Sequence, residues 1–191
     1  LSSTSTSEPN SLTESALIPE TDLIRFHKNL RILKKVGEGH FGKVYKVFDT
    51  SDGVARAAKV SISKNYKASL MEADILQKLS LAGYFVPKFY ESWEENKKMV
   101  ILMEYCEQSL AKLMKQKQKS GPVSEAIVRS FINNIVPTIG RLHNMGFAHL
   151  DIKPENILIS NKRRCFDAFD GVSRTHNFAI STAKDLFQTS D

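Results

Sequence analysis

An aspartate, a lysine and an asparagine share one short run, His149-Leu150-Asp151-Ile152-Lys153-Pro154-Glu155-Asn156. Asp151 can accept a hydroxyl proton, Lys153 can steady a phosphate in flight, and Asn156 can hold a magnesium ion. These are the parts needed for phosphoryl transfer from ATP. A lone Asp-x-Lys-x-x-Asn is a weak pattern, but two others precede it in the chain. Gly37-Glu38-Gly39-His40-Phe41-Gly42-Lys43-Val44 is a Gly-x-Gly-x-x-Gly-x-Val loop, whose glycines let backbone N–H groups approach phosphate oxygens. A dinucleotide-binding turn uses a similar loop but opens a helix. Here the strand-like Val44 to Phe48 follows, so a hairpin is expected. Lys59 ends the next strand at Ala57-Ala58-Lys59, and a lysine pointing inward from an apolar strand demands an anionic partner. Glu72 is the expected partner and Asp74 the nearby alternative; the competing assignment for Lys59 is an outward surface residue. His149 is read as bracing the loop rather than moving protons. His143 and Cys165 lack metal-ligand spacing, so no zinc site is expected.

These residues need a scaffold, and the hydrophobic pattern describes one. Leu30, Ile32, Leu33 and Val36 lead as a strand into Gly37, and Val44 to Phe48 lead out of the loop. Asp52-Gly53 is a hairpin signal, and Val54 to Val60 forms a third strand. Between Lys67 and Leu79, the residues Leu70, Met71, Ile75, Leu76 and Leu79 recur at three- and four-residue spacings, as in an amphipathic helix. Phe89 to Trp93 and Met99 to Met103 are two more strands, flanking the polar turn Glu95-Asn96-Lys97-Lys98. Five antiparallel strands and one helix make a small lobe. After Glu104 the chain turns helical. Ser109 to Lys119 is a short helix stopped by Gly121-Pro122. Ser124 caps a longer one that would bury Ile127, Val128, Phe131, Ile132, Ile135 and Val136. Pro137 and Gly140 fall inside that run. An interior proline costs about 3 kcal/mol, so a kink or break is expected there.

Bulk composition narrows the class. The chain is 41% hydrophobic and 25% charged, ordinary for a soluble globular protein. The net charge of +6 is scattered, and its densest groups, Lys112 to Lys119 and Lys162-Arg163-Arg164, have no interleaved aromatics. Nucleic acid is therefore not an expected partner. Two cysteines, Cys106 and Cys165, cannot build a disulfide framework, so an intracellular setting, nucleus or cytoplasm, is expected. The longest apolar run, Met99 to Met103, is far short of the roughly 20 residues a membrane helix needs, and no transmembrane segment is expected in this chain. The first residues lack the basic start and apolar core of a signal peptide. Residue 1 is Leu rather than Met, so a fragment or a processed product is expected. Residues 1–22 are rich in Ser and Thr, with Pro9 and Pro19, and are expected to be a disordered tail.

Taken together, Gly37 to Val44, Lys59, Glu72, Glu104 and His149 to Asn156 make residues 30–160 resemble a eukaryotic protein kinase domain. The resemblance implies an α+β, two-lobed fold. Residues 30–104 would be the antiparallel-sheet small lobe and 105–160 the start of an incomplete helical large lobe. It implies ATP and Mg2+ as cofactors and a protein hydroxyl as acceptor. Asp151 would be the base and Lys153 the phosphate stabiliser, with Asn156 a metal ligand. Val36, Gly37, Gly39, Gly42 and Val44 would cover the nucleotide, and Lys59 with Glu72 would anchor its phosphates. The backbone of Glu104 and Cys106 would meet the adenine edge, Met103 would set pocket depth, and Ala57 and Leu158 would sandwich the ring. Within kinases, Ser92-Trp93-Glu94-Glu95, Glu104-Tyr105-Cys106 with Ser109-Leu110, and His149-Leu150-Asp151 resemble the Wee family, particularly its Myt branch. Members of that family phosphorylate the glycine loop of a cyclin-dependent kinase and so hold back mitosis, which makes such a kinase the implied substrate. Leu150 stands where most kinases carry an Arg that pairs with a phosphorylated activation loop, which implies activity without that switch.

After Ser160 the likeness lapses. The family shows Asp-Phe-Gly after a segment similar to Lys162-Arg163-Arg164-Cys165, whereas this chain has Ala168-Phe169-Asp170-Gly171. Asp170 is then the remaining second magnesium ligand. No Ala-Pro-Glu follows, and only 35 residues come after Asn156. Residues 161–191 are accordingly expected to be a divergent C-terminal tail, as a frame change or alternative exon near Arg164 would produce. The membrane segment that the Myt branch carries beyond its kinase domain has no counterpart here. The rival to an active kinase is a truncated, catalytically inactive module that binds nucleotide or the family's partners. Catalysis needs the metal Asp and a substrate platform, whereas binding needs only Gly37 to Asn156.

Overall fold

The computed structural model describes residues 29–39, 42–61, 65–95, 98–117, 121, 124–160, 177–180 and 187–188. The small lobe is a five-stranded antiparallel sheet built from β1 (Leu30–Gly39), β2 (Gly42–Asp49), β3 (Val54–Ser61), β4 (Phe89–Glu95) and β5 (Lys98–Glu104). Its spatial order is β1-β2-β3-β5-β4, which leaves β1 at an edge. Local chemistry closes the hairpin between β2 and β3. The Asp49 carboxylate accepts from the Ser51 amide (2.9 Å), Asp52 accepts from the Val54 amide (3.1 Å), and Gly53 takes a φ of +72°. Arg56 pairs with both Asp49 and Asp52, and its guanidinium lies 4.2 Å from the centre of the Tyr90 ring.

Strand alternation divides the core in two. Val100 and Leu102 of β5 point to one face with Tyr45, Val47, Ala58 and Val60. Met99 and Ile101 point to the other, where α1 (Tyr66–Leu81) supplies Ile75, Leu76 and Leu79. That second cluster runs on into the large lobe through Leu113, Ile135, Leu142, Ile157, Ile159 and Ile180, so one core spans both lobes. Leu70 of α1 is exposed, and Ser69 and Glu72 are buried in addition to the expected residues.

Beyond Glu104 come β6 (Gln108–Ser109), α2 (Leu110–Lys117), α3 (Glu125–Asn144), β7 (Phe147–Ala148), a 3-10 turn (Pro154–Asn156) and β8 (Ile157–Ser160). Ser109 belongs to β6 rather than to the helix, and its hydroxyl accepts from the Lys112 amide (3.3 Å), as a cap would. β6 pairs with β8, turning Ser109 toward Leu158.

Two expectations about α3 need correction. It runs unbroken through Pro137, because Pro137 and Asn133, whose carbonyl loses its partner, both lie on the exposed face, where water can bond that carbonyl. Its buried face is also rotated from the expected one. Ile135, Asn134, Thr138 and Leu142 are buried, whereas Val128, Ile132 and Val136 are 45%, 48% and 58% exposed. Thr138 explains part of the rotation. Its hydroxyl donates to the Asn134 carbonyl (2.9 Å) and accepts from the Phe85 amide (3.1 Å), tying the loop after α1 to the large lobe.

Among the described residues past 160, two further strands join the fold. β9 (Asn177–Ile180) pairs with β8, and its Ile180 amide donates to the Phe85 carbonyl (2.9 Å). β10 (Phe187–Gln188) pairs with β7. Residues 1–22, expected to be a tail, lie outside the described residues, as does most of 161–191.

Candidate active site

A cleft of about 610 Å³ lies between the lobes, within the range of small-ligand sites. The sheet forms its roof, and α1 contributes the anion at its back. The end of β5 and the backbone after it form one rim, and the 3-10 turn with β8 forms the floor. Val36, Gly37, Val44 and Ala57 line the roof, and Lys59 and Glu72 the back. Met103, Glu104 and Cys106 line the rim, and Asn156 and Leu158 the floor. The structure thus gathers in one place residues drawn from eight elements or connections.

Lys59 is paired inward, as expected. Its Nζ reaches both carboxylate oxygens of Glu72, at 2.6 Å from Oε1, and the two side chains are only 12% and 7% exposed. Asp74, the alternative partner, pairs instead with Lys78 on the outer side of α1. A cation held by one carboxylate at the back of an apolar cleft is poised to meet further anionic oxygen.

The glycines have different jobs. Gly42 takes a φ of +146°, and a Cβ there would stand 2.0 Å from the Val60 carbonyl oxygen, so only glycine fits between β2 and β3. A Cβ on Gly37 would meet only the Val44 Cβ at 3.9 Å, so its bareness opens space toward the cleft. Gly39 pairs with Gly42 at the end of the hairpin, and neither lines the cleft. His40 and Phe41 lie outside the described residues. On the same hairpin the Lys35 ammonium, bonded to Glu38, holds that carboxyl below its ordinary range.

At the rim, the Glu104 amide donates to the Lys88 carbonyl (2.8 Å), so only its carbonyl can meet an adenine amine. On the floor the loop from His149 to Asn156 is tightly wound. The Asp151 amide turns back to the His149 carbonyl, placing Leu150 at a φ of +32° with its side chain 63% exposed. His149 is buried, and its Nδ1 faces the Asp151 amide at 3.4 Å, a bracing position rather than a catalytic one. Asn156 donates to the Asp151 carboxylate (2.7 Å) and carbonyl (2.9 Å), and Lys153 reaches the same carboxylate at 2.7 Å. With its nitrogen so engaged, Asn156 can offer a cation only its oxygen.

Among the described residues no three His, Cys, Asp or Glu side chains cluster as a metal site. Magnesium does not need one, since it is commonly held by one or two protein oxygens together with substrate phosphates. The side-chain oxygen of Asn156, a hard donor lining the cleft, fits that donor set. Asp170 lies outside the described residues. The sequence reading missed Gln108, Lys112 and Glu155, which also line the cleft. Only the β6–β8 pairing brings the first two there, and no periodicity signals a two-residue strand.

Such a cleft between an antiparallel small lobe and a helical large lobe is the architecture of a protein kinase. The chain belongs to that family: the protein kinase domain matches residues 30–178. It is 33% identical over 168 residues, 85% of this chain, to a Wee1-like protein kinase of Arabidopsis thaliana, and 31% identical over 157 residues, 78% of the chain, to Wee1-like protein kinase 2 of Mus musculus. Cyclin-dependent kinase F-4 of Oryza sativa subsp. japonica is 34% identical over 134 residues, 68% of the chain. The matched part covers 31%, 28% and 28% of those relatives, so the chain spans about a third of their length. Among the described residues no helix is long and apolar enough to cross a membrane.

Proposed function

We propose that the cleft binds Mg-ATP and that the protein transfers the γ-phosphate to a protein hydroxyl as a Wee-like cell-cycle kinase. The buried Lys59–Glu72 pair carries this reading, since it faces the same cleft as Asn156, which is bonded to Asp151. Lys59 anchors the phosphates, and Glu72 keeps its ammonium turned inward. Asp151 takes the acceptor's hydroxyl proton. Lys153, bonded to Asp151 here, moves to the transferring phosphate when one is present. Asn156 would hold the metal, which would neutralise developing charge on the phosphate oxygens when bound. Asp170 is proposed as a further ligand on its place in the sequence. A cyclin-dependent kinase is the proposed substrate, on the likeness of this chain to Wee1-like kinases and the motifs at Ser92 to Glu95 and His149 to Asp151. Those motifs also favour the Myt branch. Cysteine usage fits an intracellular place of action, in the nucleus or cytoplasm.

The test has two stages. Mg-ATP should raise the melting temperature of the chain, and Lys59→Met should abolish that rise, because the phosphates lose their buried cation. Equal rises in both proteins would remove Lys59 from the site. Labelled ATP should then mark a cyclin-dependent kinase substrate, and Asp151→Asn should stop it. A nucleotide-dependent rise with no label transferred would favour a binding module over an enzyme.

A further inference from the structure

Lys46 sits two residues after Val44 on β2, so both point to the sheet face that roofs the cleft. Strand pairing puts it in one row with Ala57 and Met103, both cleft-lining residues. Its ammonium reaches across to the rim, with Nζ 4.3 Å from the centre of the Tyr105 ring and 3.7 Å from the Glu107 carboxylate. Tyr105 and Glu107 follow β5 in the chain and line the cleft as well. Phosphoryl transfer has no use for Lys46. Its contacts do have a mechanical consequence, because β1 is the sheet's edge strand, with register irregularities at Ile32/Lys34 and Lys35/Gly37. The hairpin carrying the glycine loop is therefore held on one side only, and Lys46 ties its inner strand directly to the rim.

We infer that Lys46 is a positioning residue that sets how closely the glycine-loop hairpin closes on a nucleotide. This rests on the cleft being the ATP site. Tyr105 supplies most of the hold. Glu107 is 64% exposed and its contact is long, and solvent screens such pairs. Lys46 itself is only 21% exposed, so its contact with the ring is largely dehydrated.

A fluorescent ATP analogue, titrated with Mg2+ into the chain and its variants, tests the inference. Lys46→Met should weaken binding about three- to tenfold, the range of a partly dehydrated cation–ring contact. Lys46→Arg should restore it, and Glu107→Gln should change it less than Tyr105→Leu. Lys46→Met should add nothing to Tyr105→Leu in the double variant. Hydrogen exchange without nucleotide should show faster exchange of β1 and β2 amides in Lys46→Met, with α3 amides unchanged. Wild-type affinity and wild-type exchange in Lys46→Met, or strict additivity with Tyr105→Leu, would overturn the inference. A wild-type chain that binds no nucleotide would sink the ATP reading, while the exchange comparison would still decide whether Lys46 holds the hairpin.

Discussion

Gly37 and Gly42 belong to one motif but answer to different physics. Gly42 is fixed by backbone crowding against Val60, so Gly42→Ala must displace a strand. The expected loss is roughly 1–3 kcal/mol, the usual cost of forcing a side chain into such a conformation. Gly37→Ala meets only ordinary contact and should change stability by less than about 0.5 kcal/mol. It should instead weaken nucleotide binding by narrowing the roof. Denaturant unfolding beside nucleotide titration separates the two. Comparable destabilisation by both substitutions would show that the motif is structural throughout. At this scale the pairings were legible: Lys59 needs a buried anion, which Glu72 supplies, and the Asp-x-Lys-x-x-Asn spacing puts Asp151, Lys153 and Asn156 on one short loop, where they bond one another. Lys112 and Glu155 were not legible, since an exposed polar residue looks like any other, and Gln108 reaches the cleft only through the β6–β8 pairing.

Among the elements, the five strands of the small lobe followed from alternation and turn residues, and the ends of α1 differ from expectation by a residue or two. The buried face of α3 did not follow. Apolar side chains mark two adjacent stripes on it, and the Thr138–Phe85 bond with the packing of Ile135 and Leu142 selects one. β9 and β10 were illegible because such short strands exist through their partners rather than their own pattern. The contact tying the start of α1 to β4 makes a pH prediction. The Tyr66 hydroxyl donates to the Glu94 carboxylate, and that bond raises the Tyr66 pKa above its ordinary 10.0. The protonated phenol is the form that makes the bond. Its support is complete below the unfolded value and lost as pH rises through the higher folded one. Melting temperatures measured across that alkaline window should therefore fall more steeply in the wild type than in Tyr66→Phe. Parallel curves would mean that the bond contributes nothing.

For the molecule as a whole, the two-lobed plan was legible from the order of its motifs, but its surface was not. Periodicity marks an apolar stripe without saying whether anything covers it. In α3, Val128, Ile132 and Val136 recur every fourth residue and stand about half exposed on one line. Leu150 and Ile152, 63% and 50% exposed, add apolar surface on the loop from His149 to Asn156. At about 25 cal/mol per Å², a few hundred Å² of wet apolar surface amounts to several kcal/mol, against a usual domain stability of roughly 5–15 kcal/mol. Burial between copies would recover it, so the isolated chain should self-associate in a concentration-dependent way. Ile132→Glu with Val136→Lys replaces two members of the stripe by an opposite-charge pair one turn apart, a spacing worth a few tenths of a kcal/mol. That variant should elute later than wild type in size-exclusion chromatography and melt within a few degrees of it. A wild-type chain that elutes as a sharp monomer and unfolds in one cooperative step would show that the exposed stripe does not drive association.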